Sequence, residues 1–302
     1  GSHRIIVESR KVKYDFTIKR NITILTGDSG SGKTVLIELI RDYRRYGSDS
    51  GVFVSCDRDC RTIDNEDWDR QISEISNIII FIDEGNRFLT SKKFAELVQR
   101  SDNYFVIATR EKLLMLPYSV REIYGFRKSG KFHEARQTYN EIYHLYGELS
   151  EQSMIRPQYV LTEDSNSGYE FFSSLFKENS ISCTAANGKS NIIASLRKMD
   201  QKEGIGLVIV DGAAFGSEMR DVSEYLRVVG GIVLYAPESF EWLLISTDLI
   251  PGIREPQILA HPENYIDRRE YDSWGRFFTE LLVWQSKGRP RWQIWMQGLS
   301  RV

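Results

Sequence analysis

Residues 24–34 read ILTGDSGSGKT, an apolar run that leads into three closely spaced glycines, a lysine and a threonine. Glycine adopts backbone angles that a Cβ would forbid, so such a loop can turn successive N–H groups toward one anion. The segment that follows, KTVLIELIRDYRR, has the pattern of a helix whose positive N-terminal end faces the same place. The stretch therefore predicts a loop that holds a phosphate group.

Residues 27–34 also match the spacing G-x-x-x-x-G-K-[ST]. Lys33 would supply a mobile positive charge for the β- and γ-phosphates of a nucleotide, and we count it among the catalytic residues. The Thr34 hydroxyl can take a position on Mg²⁺. The residues expected to bind the nucleotide are Gly27, Asp28, Ser29, Gly30, Ser31, Gly32, Lys33 and Thr34.

A second motif, NIIIFIDE at residues 77–84, reads as a buried strand that ends in two acids. In an open α/β sheet, ligands bind at the carboxyl ends of strands, which is where Asp83 and Glu84 are expected. Asp83 would hold Mg²⁺, and Glu84 would polarise the water that attacks the γ-phosphate. The next strand ends in IATRE, so Thr109 or Arg110 is expected beside the site. Arg110 is the third catalytic candidate, and an ordinary surface arginine is the alternative.

Strand and helix patterns alternate along the first half of the chain. The strands NITILTG, GVFVSC, NIIIFIDE and NYFVIATRE are separated by helix patterns. Near-continuous apolar strands between helices predict a parallel sheet covered on both faces. Residues 131–146 are expected to form an amphipathic helix, with Tyr139, Ile142, Tyr143 and Tyr146 on one face.

The second half repeats the alternation after a polar segment that ends at Pro157. Four strand–helix units, beginning at PQYVLTED, ISCTAA, IGLVIVDG and GIVLYA, predict a small doubly wound sheet. The predicted fold class is therefore α/β, a parallel sheet followed by a smaller doubly wound domain. The expected domains are 4–150 and 157–250, with a C-terminal extension at 251–302.

Two acids stand at strand ends in this second half: Glu163 after its first strand and Asp211 after its third. In a doubly wound sheet these strand ends can be neighbours, and converging carboxylates make a site for a hard cation such as Mg²⁺. The alternative is a Rossmann-like module whose two strand-end acids have no catalytic role.

The motifs of the first half resemble those of the P-loop NTPase superfamily. GDSGSGKT matches its Walker A motif, and IIIFIDE resembles its Walker B motif with a catalytic glutamate. The resemblance is to the branch in which an extra strand separates the phosphate-loop strand from the Asp–Glu strand. It implies ATP and Mg²⁺ as ligands and ATP hydrolysis as the activity. The missing L-S-G-G-Q-type signature argues against an ABC transporter.

The second half is similar to the Toprim (topoisomerase–primase) domain, most closely to that of the overcoming-lysogenization-defect nucleases. Glu163 matches the family's strand-end glutamate and Asp211 the first aspartate of its Asp-x-Asp pair, while Ala213 replaces the second aspartate. The resemblance implies Glu163 and Asp211 as metal ligands, and the missing third ligand argues against nuclease activity. Asp164 is a candidate replacement, although successive residues of a strand point to opposite faces.

The composition is that of a globular protein: 302 residues, of which 41% are hydrophobic and 27% charged, with a formal net charge of −2. Any nucleic-acid binding must therefore come from a local patch. The tail at 284–302 mixes tryptophans with basic residues and is either such a patch or a packed terminus. Three cysteines suggest no disulfide framework and no apolar stretch reaches membrane length, so we expect a cytoplasmic protein with no membrane partner.

Two functions stay open at this point. The first is an ATPase that regulates or powers nucleic-acid processing, by resemblance in a mobile element or in phage defence, with DNA or RNA as its partner. The second is an ATP-dependent switch that cuts nothing and recruits a protein partner or a second copy of the chain. A nucleotide kinase ranks last, because no arginine-rich lid segment follows the Asp–Glu strand.

Overall fold

The computed structural model describes residues 1–27, 30–64, 66–129, 138–146, 155–177, 179–199, 203–247, 255–266, 271 and 273–286. These residues form two compact units. The first unit comprises the described residues of 1–147 and 261–272, and the second those of 148–260 and from 273 onward. Both units combine helices with a sheet, which confirms the predicted α/β class.

The first unit is built on one large sheet. Among the described residues its strands are β1 (His3–Glu8), β2 (Val12–Ile18), β3 (Ile22–Leu25), β4 (Phe53–Ser55), β5 (Cys60–Thr62), β6 (Ile79–Ile82), β7 (Tyr104–Ala108), β8 (Ile123–Ser129) and β9 (Thr138–His144). They lie in the order β4-β1-β2-β9-β8-β3-β7-β6-β5. The α-helices are α1 (Lys33–Tyr46), α2 (Trp68–Glu74) and α3 (Lys92–Arg100), with 3₁₀ turns at Gly47–Ser50, Arg87–Thr90, Val120–Glu122 and Pro262–Asn264.

The parallel part of this sheet carries the strands of both sequence motifs. Strands β8, β3, β7, β6 and β5 run parallel, and β7 lies between β3 and β6. Every residue of β3, β6 and β7 is buried, as expected where both faces of a sheet are covered. The chain therefore leaves β3 and β6 at the same edge of the sheet, with one strand between them.

Further strands extend the sheet beyond β8 and make it curl. β8 pairs antiparallel with β9, and β1 pairs antiparallel with both β2 and β4, whereas β2 and β9 run parallel. Helix α1 contacts β5 at one end of the strand order and β1 and β4 at the other. The sheet therefore wraps around α1, whose Leu36, Ile37 and Ile40 lie in the buried core.

The helix predicted at residues 131–146 is wrong over its second half. Thr138–His144 is strand β9, and residues 131–137 lie outside the described residues. The aromatic and β-branched residues that produced a helical spacing also favour strands. Pairing with β8 on one side and β2 on the other stabilises the strand, and local periodicity carries no information about such distant partners.

The strand predicted in GVFVSC is present as β4, but it lies outside the parallel core. β4 pairs antiparallel with β1 at the outer edge of the sheet. The position beside β6 is taken by β5, which has only three residues and is too short to give a periodic pattern.

The second unit is built on a smaller, parallel sheet. Among the described residues its strands are β10 (Tyr159–Thr162), β11 (Ser182–Ala185), β12 (Gly206–Ile209) and β13 (Ile232–Tyr235), in the order β11-β10-β12-β13. Its helices are α4 (Ser167–Lys177), α5 (Ile192–Met199), α6 (Gly216–Val228), α7 (Phe240–Ser246), α8 (Pro256–Ala260) and α9 (Trp274–Ser286), with a 3₁₀ turn at Lys189–Asn191.

The strand order of this sheet reverses between β10 and β12. β11 follows β10 in the chain and lies on one side of it, whereas β12 lies on the other side. Phe172 of α4 packs with Val160 of β10 and Ile209 of β12, while α5 contacts α6. Such a reversal opens a crevice at the carboxyl ends of the two central strands, where doubly wound proteins bind ligands.

The predicted C-terminal extension divides between the two units. Residues 261–266 belong to the first unit, whereas α8 and α9 belong to the second. Helix α9 packs on α7 through Phe278 and Leu282, which share a buried cluster with Leu244 and Ile245. None of the described helices is both long enough and apolar enough to cross a membrane.

Candidate functional site

The described glycines of the loop between β3 and α1 have positive φ angles. Gly27, Gly30 and Gly32 adopt φ angles of 139°, 79° and 110°. Residues with a Cβ rarely adopt these backbone angles, so the three glycines are needed for the turn of the chain. Asp28 and Ser29, the other two residues predicted in the first half of the loop, lie outside the described residues.

Lys33 is folded back over this loop. It is the first residue of α1 and only 4% exposed. Its ammonium donates to the carbonyl oxygen of Gly27 at 2.6 Å and to Oγ of Ser31 at 3.2 Å. A positive charge therefore lies within the loop, at the N-terminal end of a helix with no acidic residue in its first turn. Both features favour an anion at this place.

Thr34 and Asp83 join the two motifs across the sheet edge. Oγ1 of Thr34 lies 3.5 Å from Oδ1 of Asp83, which directly follows β6. The same carboxylate oxygen accepts the backbone N–H of Glu84 at 2.8 Å, and the Asn86 side chain donates to the backbone carbonyl of Asp83 at 2.8 Å. The hydroxyl and the carboxylate are hard oxygen donors of the type that Mg²⁺ prefers.

Glu84 is held by Arg110, which follows the neighbouring strand β7. Nε of Arg110 lies 3.2 Å from Oε2 of Glu84, and Nη2 lies 3.0 Å from Oε1. Thr109 is buried, and its hydroxyl accepts the N–H of Glu111 at 3.0 Å, so it shapes the turn that presents Arg110. Arg110 thus lies beside the second motif, paired with the predicted catalytic glutamate.

Two further side chains support the loop, one directly and one through the other, and neither was found from the sequence. Tyr14 of β2 donates to the carbonyl oxygen of Gly32, and Asn140 of β9 donates to Tyr14. No motif connects residues so far apart in the chain. The only sequence signal is a polar residue, Asn140, in a segment that was assigned to a helix.

Glu163 and Asp211 lie together in the second unit, at the point where the strand order reverses. Glu163 follows β10 and Asp211 lies just beyond β12. Oε2 of Glu163 accepts the backbone N–H of Asp211 at 2.9 Å, and Oδ1 of Asp211 accepts the N–H of Ala213 at 3.0 Å. The two strands that the doubly wound pattern was expected to place side by side are neighbours in the sheet.

Burial and neighbouring acids make these carboxyl groups hard to ionise. Burial, together with the charges of Glu163 and Glu238, raises the pKa of Asp211 to about 8. Burial also raises the pKa of Glu163 and that of Glu241. At neutral pH the carboxyl of Asp211 is therefore largely protonated in the cation-free protein.

Glu238 and Glu241 belong to this cluster and were missed from the sequence. Both are buried and follow β13, so a third strand end contributes acids. The sequence pattern that could have revealed them is GIVLYAPESFE, in which two glutamates follow the fourth predicted strand of the second half. A cavity of about 680 Å³ opens beside Glu163, Asp211 and Glu241. Arg276 and other residues of α9 complete its lining.

Asp164 also lines this cavity, but its carboxylate is engaged by the backbone, and Ala213 adds no carboxylate. Oδ2 of Asp164 accepts the N–H groups of Asn166 and Gly168, at 3.1 and 3.2 Å, at the start of α4. Asp164 therefore caps a helix. Ala213 is 3% exposed and offers only a methyl group. Among the described residues, no group of three or more His, Cys, Asp or Glu side chains has the arrangement of a metal site.

The tail patch proposed from the sequence falls largely on residues 287–302, which lie outside the described residues. No protein-family model matches the chain, and no curated protein matches its sequence.

Proposed function

We propose that the first unit binds ATP with Mg²⁺ and hydrolyses it. The observation that carries the proposal is the 3.5 Å approach of Thr34 Oγ1 to Asp83 Oδ1. It joins a glycine-rich loop with a buried lysine to an acidic strand end, although 49 residues separate the two in the chain. Nucleotide hydrolysis needs both parts at one place.

Binding of the phosphates follows from the loop and from Lys33. The loop glycines have the angles that let successive N–H groups face one anion, and α1 begins directly behind them. The Lys33 ammonium would exchange its contacts with Gly27 and Ser31 for the phosphate oxygens of the nucleotide. These loop contacts hold the lysine at the site before ligand arrives.

Thr34 and Asp83 fit a bound Mg²⁺ by the chemistry of their oxygens, and they are the residues that would hold it. When bound, the ion neutralises negative charge on the β- and γ-phosphates. Glu84 is the base that would take a proton from the attacking water. Arg110 fixes the plane of that carboxylate by contacting both of its oxygens.

The strand order supports the same proposal. One strand, β7, lies between the strand that precedes the glycine loop and the strand that precedes Asp83. This is the arrangement implied by the resemblance to the P-loop NTPase branch with an added strand. Arg110 follows that inserted strand, which gives it access to Glu84.

For the second unit, two observations argue against a nuclease, which leaves the ATP-dependent switch as the function we propose. The methyl group of Ala213 stands in place of a carboxylate, and Asp211 has a pKa of about 8. Both features weaken the binding of a hard cation at neutral pH. Nucleic-acid cleavage at Glu163 and Asp211 is the competing function, supported by their proximity beside a cavity at the reversal of strand order.

Phosphate release from ATP tests both parts of the proposal. It is measured for the wild type, Lys33→Ala and Glu84→Gln, each with and without DNA or RNA, and in parallel with a Mg²⁺-dependent cleavage assay. We expect hydrolysis by the wild type only, with no cleavage. Cleavage that is lost in Glu163→Ala would establish the nuclease instead, and absence of both hydrolysis and nucleotide binding would overturn the ATPase assignment.

A further inference from the structure

Gly32, the last glycine of the phosphate loop, is held by a residue of β2, a strand that is not adjacent to β3 in the sheet. The hydroxyl of Tyr14, in β2, donates to the carbonyl oxygen of Gly32 at 2.8 Å. The same carbonyl accepts the N–H of Leu36 at 3.0 Å as the first hydrogen bond of α1. β2 is separated from β3 by β9 and β8 in the sheet, and it reaches the loop because the sheet curls around α1.

Holding this carbonyl also fixes the amide of Lys33. The peptide group between Gly32 and Lys33 is planar, so its C=O and N–H point in opposite directions. When Tyr14 and Leu36 hold the oxygen on the helix side, the Lys33 N–H is directed away from them, at the open N-terminal end of α1. That N–H belongs to the group of donors that would face a phosphate.

Asn140 supports Tyr14 from the neighbouring strand. The two residues are directly opposite each other in the parallel pairing of β2 and β9. Nδ2 of Asn140 donates to the Tyr14 hydroxyl oxygen at 3.1 Å, so the proton of the hydroxyl is directed to Gly32. Burial raises the pKa of Tyr14, which keeps that proton in place. A Cβ on Gly32 would lie 2.7 Å from Nδ2 of Asn140 and 3.0 Å from the Tyr14 oxygen.

The pair is polar and lies in the buried interior of the first unit. Asn140 is 4% exposed, and among the described residues its Oδ1 has no hydrogen-bond partner. A buried acceptor without a partner destabilises the folded state, whereas an apolar residue of similar size would not. The pair is therefore a buried polar unit that contacts the phosphate loop through the Tyr14 hydroxyl.

We propose that Tyr14 and Asn140 are positioning residues of the phosphate loop, Tyr14 directly and Asn140 through Tyr14. The inference rests on the proposed nucleotide-binding function of that loop. It assigns to strands β2 and β9, which carry none of the nucleotide motifs, the task of setting the direction of the Lys33 amide.

The test compares Tyr14→Phe, Asn140→Ala and the double variant in steady-state ATP hydrolysis. Tyr14→Phe removes both hydrogen bonds of the hydroxyl, the one to Gly32 and the one from Asn140, and keeps the ring, so we expect KM for ATP to rise about fivefold to tenfold while kcat changes less than about twofold. Because Asn140 acts through Tyr14, the double variant should resemble Tyr14→Phe rather than show the product of the two effects. Tyr104→Phe, in a buried tyrosine of the same sheet, is the matched control and should leave KM unchanged.

Hydrogen exchange in nucleotide-free protein gives a second readout that does not depend on ATP. Tyr14→Phe should increase exchange of the amides in residues 30–36, and Tyr104→Phe should not. An unchanged KM together with unchanged loop exchange in Tyr14→Phe would overturn the positioning role. If the wild type binds no ATP at all, the proposed function fails, and the exchange result alone decides whether the pair orders the loop.

Discussion

Arg110 and Glu84 meet in a two-pronged ion pair at the carboxyl ends of β7 and β6, with nitrogen–oxygen distances of 3.0 and 3.2 Å. Each side chain comes from a different strand, so the pair exists only because those strands are neighbours. A carboxylate that acts as a base must face the attacking water, and a guanidinium that contacts both of its oxygens fixes that direction.

The pair predicts a specific kinetic defect. If Glu84 is the base, as proposed, Arg110→Ala should lower kcat for ATP hydrolysis roughly tenfold to a hundredfold and leave KM nearly unchanged, because Glu84 loses its orientation while the phosphate loop is intact. Arg110→Lys should recover only part of the rate, since an ammonium cannot make the two parallel bonds. Arg100→Ala, in an exposed arginine at the end of α3, is the control. Hydrolysis by Arg110→Ala at or above the wild-type rate would contradict this role.

Gly32 should tolerate no side chain. Gly32→Ala places a Cβ at φ 110° and 2.7 Å from Asn140 Nδ2, so we expect loss of nucleotide binding and a large fall in the free energy of unfolding. Gly47→Ala, at the other end of α1, also has a positive φ but no atom within 4 Å of the added Cβ. The free energy of unfolding of this variant should fall by only about 1–2 kcal/mol, and it should bind nucleotide normally. Equal behaviour of the two variants would show that the contact with Asn140 has no consequence.

Gly212 gives a corresponding test in the second unit. A Cβ there would lie 2.6 Å from the carbonyl oxygen of Pro237 and 2.7 Å from that of Ala236, both in the backbone. Gly212→Ala should therefore destabilise this unit by about 1–3 kcal/mol in thermal or denaturant unfolding. Gly230→Ala, with nothing within 4 Å of its Cβ, is the control and should have a much smaller effect. A stable Gly212→Ala variant would mean that the turn after Asp211 can move.

The carboxyl of Asp211 should make the second unit less stable as the pH rises. Its pKa is about 8 in the folded protein and about 4 in an unfolded chain, so between these values the folded state binds more protons. The free energy of unfolding therefore falls with pH, by up to roughly 1.4 kcal/mol per pH unit, through the window from about pH 4 to pH 8. Glu163 and Glu241, whose pKa values are also raised, act in the same direction.

Asp211→Asn should flatten this dependence, because the amide can still accept the N–H of Ala213 and carries no charge. Unfolding midpoints measured in EDTA from pH 5 to pH 8.5 check it. The variant should be more stable than the wild type at pH 8 and differ little at pH 5. Parallel curves for the two proteins would show that Asp211 is ionised throughout.

The parts of the structure that sequence predicted are those with a local pattern. The apolar strands before Gly27 and Asp83 and the helix beginning at Lys33 are formed by neighbouring residues, so composition and spacing were enough. The alternation in the second half was also local, and the strands that end near Glu163 and Asp211 are neighbours in the sheet.

What sequence did not predict depends on contacts between distant segments. β9 resembled a helix by spacing and becomes a strand through its pairing with β8 and β2. The contact of Tyr14 with Gly32 requires the sheet to curl, which no window of residues encodes. The ion pair of Glu84 with Arg110 depends in the same way on which strand lies beside β6.

Equilibrium binding of a fluorescent ATP analogue in the presence of Mg²⁺, to wild type, Lys33→Ala and Glu84→Gln, tests the central claim most directly. We expect the wild type and Glu84→Gln to bind with similar affinity, because in the proposed mechanism Glu84 acts on water and not on the phosphates, and Lys33→Ala to bind at least about tenfold more weakly. Equal binding by Lys33→Ala and the wild type, or no binding by the wild type, would contradict the assignment of this loop as a nucleotide site.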